Sequence, residues 1–436
     1  MKWRYPFVFI ILVFLFFSVI ARLFYWQVVK AEMLSELAQS QYSGIIRILP
    51  RRGEIKTSDG FPIATNKVSY LLFINPTEVK DKNKTIQLLS SLLNASVASV
   101  SSKLVPDKLW VPIQAGLDSK KKEEIEKIRL PGVGFEENYS RFYPEASIAA
   151  HLVGFVGKNE AGQDKGYVGL EGFYDRLLRG KEGYAVELHD ALGRPILSKR
   201  MENTRGSNGG SLSLTLDRSV QFMAEQKLKD AVERYGALGG MVGVMDPSNG
   251  DIIAMASFPS FSLQKYWEYD ESLYINPFIT NTYEPGSTLK PIIMASALDA
   301  GLITPQTKCN ICAGPISVSG YDLHTWNNKY YKDTNMIEVI QHSDNTGMVF
   351  VALRLGVDKM ISYLTSFGIG KLTDIDLQGE IAPSFKPRNA WYDVDLATTG
   401  FGQGISVTPI ELLTAFSVLA NEGKIMQPRV VKAFEN

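Results

Sequence analysis

A serine hydroxyl is a nucleophile only when a neighbouring base takes its proton, and a lysine serves as that base when burial lowers its pKa. Three Ser-x-x-Lys pairs occur in the chain: Ser119/Lys122, Ser262/Lys265 and Ser287/Lys290. The spacing alone proves nothing, and context separates them. Ser287 follows Pro285-Gly286 and opens the apolar run PIIMASALDAGLI, which predicts a buried helix beginning at the serine. Pro291 is tolerated there because the first helical turn has no acceptor for its missing N–H. A separation of three residues puts Lys290 on the same helix face as Ser287, one turn along. The apolar helix would desolvate the lysine, and its N-terminus would favour developing negative charge.

A second group is Ser343-Asp344-Asn345, between the helical patterns MIEVIQ and TGMVFVALRLG. A hydroxyl and an amide on an inter-helix loop can relay a proton and hydrogen-bond a substrate amide. The same triplet read alone is an ordinary helix cap. Cys309-x-x-Cys312 precedes His324 and His342, a pattern open to zinc binding, to oxidation of the thiol pair, or to two small buried side chains. Only this one tight pair is present, without the second pair of a zinc finger, so no metal site is assigned. Two cysteines also give no disulfide framework to hold the fold. His151 and His189 read as structural.

The elements that must position these residues follow from periodicity and punctuation. LSLTLD reads as a strand, and RSVQFMAEQKLKDAVERYG as an amphipathic helix capped by Asp217. GGMVGVMDPSNGDIIAMASF is two apolar runs joined by Asp-Pro-Ser-Asn-Gly, a β-hairpin. Helical patterns follow at 287–301, 335–341, 346–356, 358–368 and 409–421. A hairpin followed by helices predicts a mixed α/β layer with the sheet on one side. Upstream, residues 84–103 and 117–129 carry helical periodicity, and KKKEEIEKI is an exposed, salt-bridged face. The stretch NTRGSNGG, 203–210, reads as a linker and marks the main boundary.

At 436 residues the chain is too long for one ordinary core. A hydrophobic content of 45% with 21% charged residues fits a folded protein. Lys+Arg and Asp+Glu both number 46, so the basic excess of a nucleic-acid binder is missing. The N-terminus carries YPFVFIILVFLFFSVIA, then Arg22, then LFYWQVV. Tyr5 to Val29 supplies the roughly 20 apolar residues a bilayer-spanning helix needs. Lys2 and Arg4 place the N-terminus in the cytoplasm by the positive-inside rule, and the rest outside. No small-x-small cleavage site follows, so the segment reads as an uncleaved anchor, with KAEMLSELAQSQ continuing the helix outward.

Taken in order, these motifs resemble the penicillin-binding-protein and β-lactamase superfamily, whose three motifs are Ser-x-x-Lys, Ser-x-Asn and Lys-Thr-Gly. The chain is similar over nearly its whole length to class B penicillin-binding proteins. Arg52-Gly53-Glu54-Ile55 with Asp59-Gly60 and Ala64 resembles the family's pedestal motif. Arg141-Phe-Tyr-Pro144, His151-Leu-Val-Gly154 and Gly169-Leu-Glu171-Gly172 resemble its later pedestal motifs, and Gly402–Pro409 a stretch between the second and third catalytic motifs.

The resemblance implies an α/β architecture: a transmembrane anchor at 5–29, an elongated mixed α+β pedestal at 30–205, and a β-lactamase-like serine transpeptidase domain at 206–436. It implies a D,D-transpeptidase in which Ser287 is acylated, Lys290 is its base, and Ser343 and Asn345 complete the relay. No cofactor or metal is implied. The implied partners are peptidoglycan stem peptides, β-lactams and a membrane glycosyltransferase of the division or elongation machinery. Two departures are visible. Asn276-Pro277 stands where the family usually has Asn-Arg, and no Lys-Thr-Gly or Lys-Ser-Gly follows before Asn436. In the family that motif lies on a strand lining the site, binds the substrate carboxylate and helps form the oxyanion hole. A sequence truncated ahead of it is the expectation. A catalytically incomplete scaffold is the alternative, and a β-lactamase or β-lactam sensor ranks third. Glu380 is followed by Pro383-Ser384 rather than the pattern of a deacylating glutamate, and reads as a turn residue.

Overall fold

The computed structural model describes residues 3–35, 43–104, 108, 110–160, 162–189, 195–204 and 206–435. The chain forms two compact units, Met1–Pro50 with Gly180–Asn208, and Arg51–Arg179 with Gly209–Asn436. In the first unit, an α-helix over Arg4–Phe24 passes into a π-helical turn at Tyr25–Val29. Its side chains are apolar on every face and none is buried in the protein, the pattern of a helix whose solvent is hydrocarbon. At 26 residues it is long and apolar enough to cross a membrane. Arg22 lies over the Trp26 ring at 5.4 Å. Residues 31–35 are helical, and the remainder of the expected continuation, 36–41, lies outside the described residues.

The unit also holds an antiparallel sheet with Gly183–His189 between Ser43–Ile48 and Pro195–Thr204. Asn203 and Thr204 therefore end a strand rather than begin the expected linker. Their ladder partners lie near residue 184, which the polar local sequence does not show. The side chain of His189 lies outside the described residues.

The second unit is built on a sheet in which Ser211–Leu214 is flanked by Val431–Glu435 and Ile55–Lys56, followed by Pro62–Ile74 and Val111–Leu117. Val133–Phe142 also pairs with Pro62–Ile74, over ten residues from Thr65↔Phe142 to Ile74↔Val133. Leu212 and Ile55 are fully buried in this sheet, which joins chain segments over 150 residues apart. Helices Lys82–Leu93, Val97–Lys103 and Ser119–Glu126 cover its far end through Ile86, Leu89, Val100 and Ile125. Arg52, Arg141 and Glu171, from three separate motifs, meet with Asp175 in the interior. Arg52 Nε donates to Glu171 at 2.7 Å and its Nη1 to Asp175 at 2.8 Å, while Arg141 Nε donates to the other Glu171 oxygen at 2.6 Å.

The C-terminal half follows the sequence patterns closely. Asp217 caps Arg218–Tyr235 by accepting from Ser219 N and Val220 N, and Gly236, at φ +62°, ends it. Gln221, Ala224, Leu228 and Val232 form its buried stripe against the strand Ile252–Phe258. That strand pairs with Gly240–Met245 as the expected hairpin. Helices Lys290–Asp299, Met336–Gln341, Asn345–Ser366, Asp393–Thr399 and Pro409–Ala420 pack around a second core that includes Ile293, Val349 and Ala415. The two helical patterns at 346–356 and 358–368 are two helices that meet at Gly356, whose φ of +72° and ψ of 161° interrupt the regular helix.

Candidate active site

Ser287 and Lys290 sit on a joined element. Gly286–Leu289 forms a 3₁₀ turn, and the α-helix begins at Lys290 itself. The expectation that Ser287 opens the α-helix is thus corrected by one turn. Pro285 and Gly286, the latter at φ +58°, bring the chain in at an angle that delays regular helix. The two side chains end in different environments: Ser287 is exposed, whereas Lys290 is only 2% exposed.

Lys290 Nζ donates to the Ser343 carbonyl at 2.7 Å, to Ser343 Oγ at 3.1 Å and to Asn345 Oδ1 at 2.8 Å. The first two of these need Ser343 in the left-handed region, at φ +50°, so that its carbonyl and hydroxyl reach one nitrogen. Its neighbours hold that turn. Asp344 N–H donates to Val339 O at 2.9 Å, and Asp344 Oδ1 caps the next helix by accepting from Thr346 and Gly347. Gly347 lets the helices close up, since a Cβ there would lie 2.4 Å from Val339. The cap reading and the site reading of Ser-Asp-Asn are therefore both present, divided between adjacent residues: Asp344 caps, while Ser343 and Asn345 face the lysine.

Burial pulls the Lys290 ammonium down to about 8, and the negative charge of Asp344 acts in the opposite direction. Asp344 is itself buried, and its Oδ2 accepts no hydrogen bond among the described residues. An amine in this state is available as a proton acceptor near neutral pH. No hydrogen bond joins Ser287 to Lys290 among the described residues, a spacing common in sites that tighten only with substrate.

Two contributors were not singled out from sequence. Asn345 Nδ2 donates to the His324 carbonyl at 3.0 Å, fixing which way the amide points and leaving its oxygen for Lys290. Asp344 supplies the negative charge that acts on Lys290 among the described residues, and its place inside the triplet was the available signal. Cys309 and Cys312, both fully buried, form a disulfide, His324 Nδ1 pairs with Tyr330 Oη at 3.0 Å, and His342 stacks on Tyr331. No group of three metal-ligating side chains occurs among the described residues. Glu380 accepts from both Thr373 N and Thr373 Oγ1, as a turn residue does. His151 is buried against Phe261, and burial lowers its pKa to about 4.

The family model described as the penicillin binding protein transpeptidase domain matches residues 240–436. The penicillin-binding protein dimerisation domain matches 47–214. Stage V sporulation protein D of Bacillus subtilis is 35% identical over 434 residues, covering 98% of this chain and 66% of its own length. Peptidoglycan D,D-transpeptidase FtsI of Escherichia coli K12 is 26% identical over 411 residues, covering 93% and 68%. The chain thus spans about two thirds of the length of these relatives. Among solved structures, PBP2 in its complex with MreC from Helicobacter pylori matches at a TM-score of 0.75 and 23% identity, over 90% of this chain and 80% of that one, a likeness of fold. A peptidoglycan synthetase from Bifidobacterium adolescentis matches at 0.69 and 25%, over 90% and 75%. Two domain families in order on one chain, with relatives aligned along nearly all of it, make this protein a member of the class B penicillin-binding proteins.

Proposed function

We propose that the protein is a serine D,D-transpeptidase that cross-links peptidoglycan stem peptides and is acylated by β-lactams at Ser287. The observation that carries the reading is a buried, pKa-lowered Lys290 held by Ser343 and Asn345, one turn from an exposed serine. Neutral Lys290 Nζ takes the Ser287 hydroxyl proton as Oγ attacks the carbonyl carbon of the penultimate D-alanine. The oxygen that becomes negative lies at the start of a helical run, whose first N–H groups have no internal acceptor. Collapse breaks the C–N bond, and the departing D-alanine amine receives the proton through Lys290 and Ser343 Oγ. An amine of a neighbouring stem then attacks the ester, loses its proton by the same path, and restores Ser287. A β-lactam follows the first half, its ring amide opening in place of the peptide bond. The chain contains no Lys-Thr-Gly, the triplet the family uses for the substrate carboxylate.

We assign residues 5–29 to a single-pass anchor with a cytoplasmic N-terminus, 30–205 to the pedestal and 206–436 to the transpeptidase domain. The flanking Lys2 and Arg4 support the orientation. A membrane glycosyltransferase of the cell-wall machinery is the partner we assign, because the anchor puts both proteins in one bilayer. The test is labelling of the full-length protein with a fluorescent penicillin. Label on the wild type and none on Ser287→Ala is expected, and label that persists in the mutant overturns the assignment.

A further inference from the structure

The base and the nucleophile are held by different parts of the molecule. Lys290 is fixed by three acceptors on the Ser343–Asn345 turn. Among the described residues Ser287 has no such partner, and its 3₁₀ turn lacks a side-chain cap at its start. What holds the turn is the segment Gly400–Val407. Gly286 N–H donates to the Gly402 carbonyl at 2.9 Å, and Tyr283 and Val407 exchange backbone hydrogen bonds at 3.0 Å each. The backbones touch so closely that a Cβ on Gly402 would lie 2.0 Å from the Gly286 oxygen, and Gly402 has φ +81°. One further bond comes from a side chain: Glu284 Oε1 accepts from Gly404 N–H at 2.9 Å.

The same segment is tied to the rest of the site. A Cβ on Gly400 would lie 2.8 Å from that of Ala352 and 2.9 Å from the Met348 carbonyl, both on the helix that Asn345 begins. Its other end runs into Thr408, which caps the buried helix Pro409–Ala420 in a reciprocal box with Glu411. A closed path therefore runs from Asn345 along its helix, through Gly400–Gly404, to the turn that carries Ser287.

We propose that Gly400–Val407 is the clamp that sets the distance between Ser287 and Lys290, and that Glu284 is a positioning residue of the acylation step. The inference rests on the transpeptidase reading. The clamp's other hydrogen bonds are backbone to backbone, so Glu284 is the one that substitution removes cleanly. Its loss frees the turn without touching Lys290, Ser343 or Asn345.

The experiment is time-resolved acylation of the full-length protein by a fluorescent penicillin, resolving non-covalent binding from the acylation rate constant. Glu284→Ala is expected to lower the rate constant at least about tenfold, since a small misplacement of reacting atoms is that costly. The dissociation constant, the melting temperature and the pH midpoint of acylation should stay near wild type. Glu284→Gln keeps an acceptor oxygen and should restore most of the rate, which a general loss of stability would not allow. Gly402→Ala should be slower still, and if it fails to fold the Glu284 pair decides alone. Wild-type rate in Glu284→Ala, or a loss that Glu284→Gln does not repair, overturns the clamp while leaving Ser287 as the labelled residue. A wild-type protein that takes no label overturns the transpeptidase reading and the clamp with it.

Discussion

Two regions of this protein bury positive charge, and they do so in opposite ways. In the Arg52–Glu171–Arg141–Asp175 cluster, two guanidinium groups face two carboxylates, with Glu171 fully buried and bonded to both arginines. Burial alone would lower the Arg52 pKa, but Glu171 and Asp175 outweigh it and the net direction is up. At Lys290 the three acceptors are a carbonyl, a hydroxyl and an amide, none of them charged. There burial wins over the single carboxylate of Asp344, and the net direction is down. Hydrogen bonds hold the cation in both places, and in each one buried polar atom, Arg141 Nη2 or Asp344 Oδ2, has no partner among the described residues. The difference is whether opposite charge accompanies them, and it separates a fixed structural cation from a titratable base.

The sharpest way to break this comparison is Lys290→Arg, which keeps the charge and removes the ability to give up a proton. Acylation by a labelled penicillin should fall by about 10²–10⁴-fold, the usual worth of a general base. Undiminished acylation would mean Lys290 is structural, like Arg52. In the other region Glu171→Gln should leave two arginines short of charge and cost about 3–5 kcal/mol of unfolding free energy. Denaturant titration measures it, and the pH midpoint of acylation should not move.

The third test is pH. Acylation should climb with pH below about 8, where Lys290 is protonated, and level off above it. Stability carries the same sign. The folded pKa, about 8, lies below the ordinary 10.5, so the unfolded chain binds the proton more tightly across that interval. The cost of burying the ammonium is complete below about 8 and is relieved as the pH rises toward 10.5. Lys290→Met should abolish that rise in denaturant midpoint. The smallest effect is expected for Asp344→Asn, which keeps the cap but removes the charge supporting the ammonium. Its acylation midpoint should move down by up to about one unit, and a midpoint that rises would refute the role given to Asp344.

Much of the architecture was legible because its signals are local. Asp217 before an amphipathic run, Gly236 after it, and Asp246-Pro-Ser-Asn-Gly250 between apolar stretches specify a helix and a hairpin from a few adjacent residues. The apolar run from Arg4 to Val29 is equally explicit about which solvent it suits. Ser287 and Lys290 could be nominated because chemistry limits which residue types activate a serine, whereas the relay role of Ser343 and Asn345 came from the resemblance to penicillin-binding proteins. What the spacing did not reveal was the partner of Lys290. Three residues of separation suggested Ser287, while the ammonium turns to the Ser343 turn on another element. The Cys309–Cys312 pair likewise kept three readings open until the structure showed the sulfurs bonded to each other.

The sequence by itself determined the cap and stop of the helix Arg218–Tyr235, which segment suits a bilayer, and which residue types were available for acyl transfer. Each of these depends on contacts within a few residues of one another. Tertiary structure alone decided that Ser211–Leu214 lies between Ile55–Lys56 and Val431–Glu435, that a glutamate at 171 neutralises arginines at 52 and 141, and that Gly402 closes on Gly286. Those pairings join residues more than a hundred apart or on separate elements, or leave no room for a side chain. Their energies depend on burial and charge that exist only once the chain has folded.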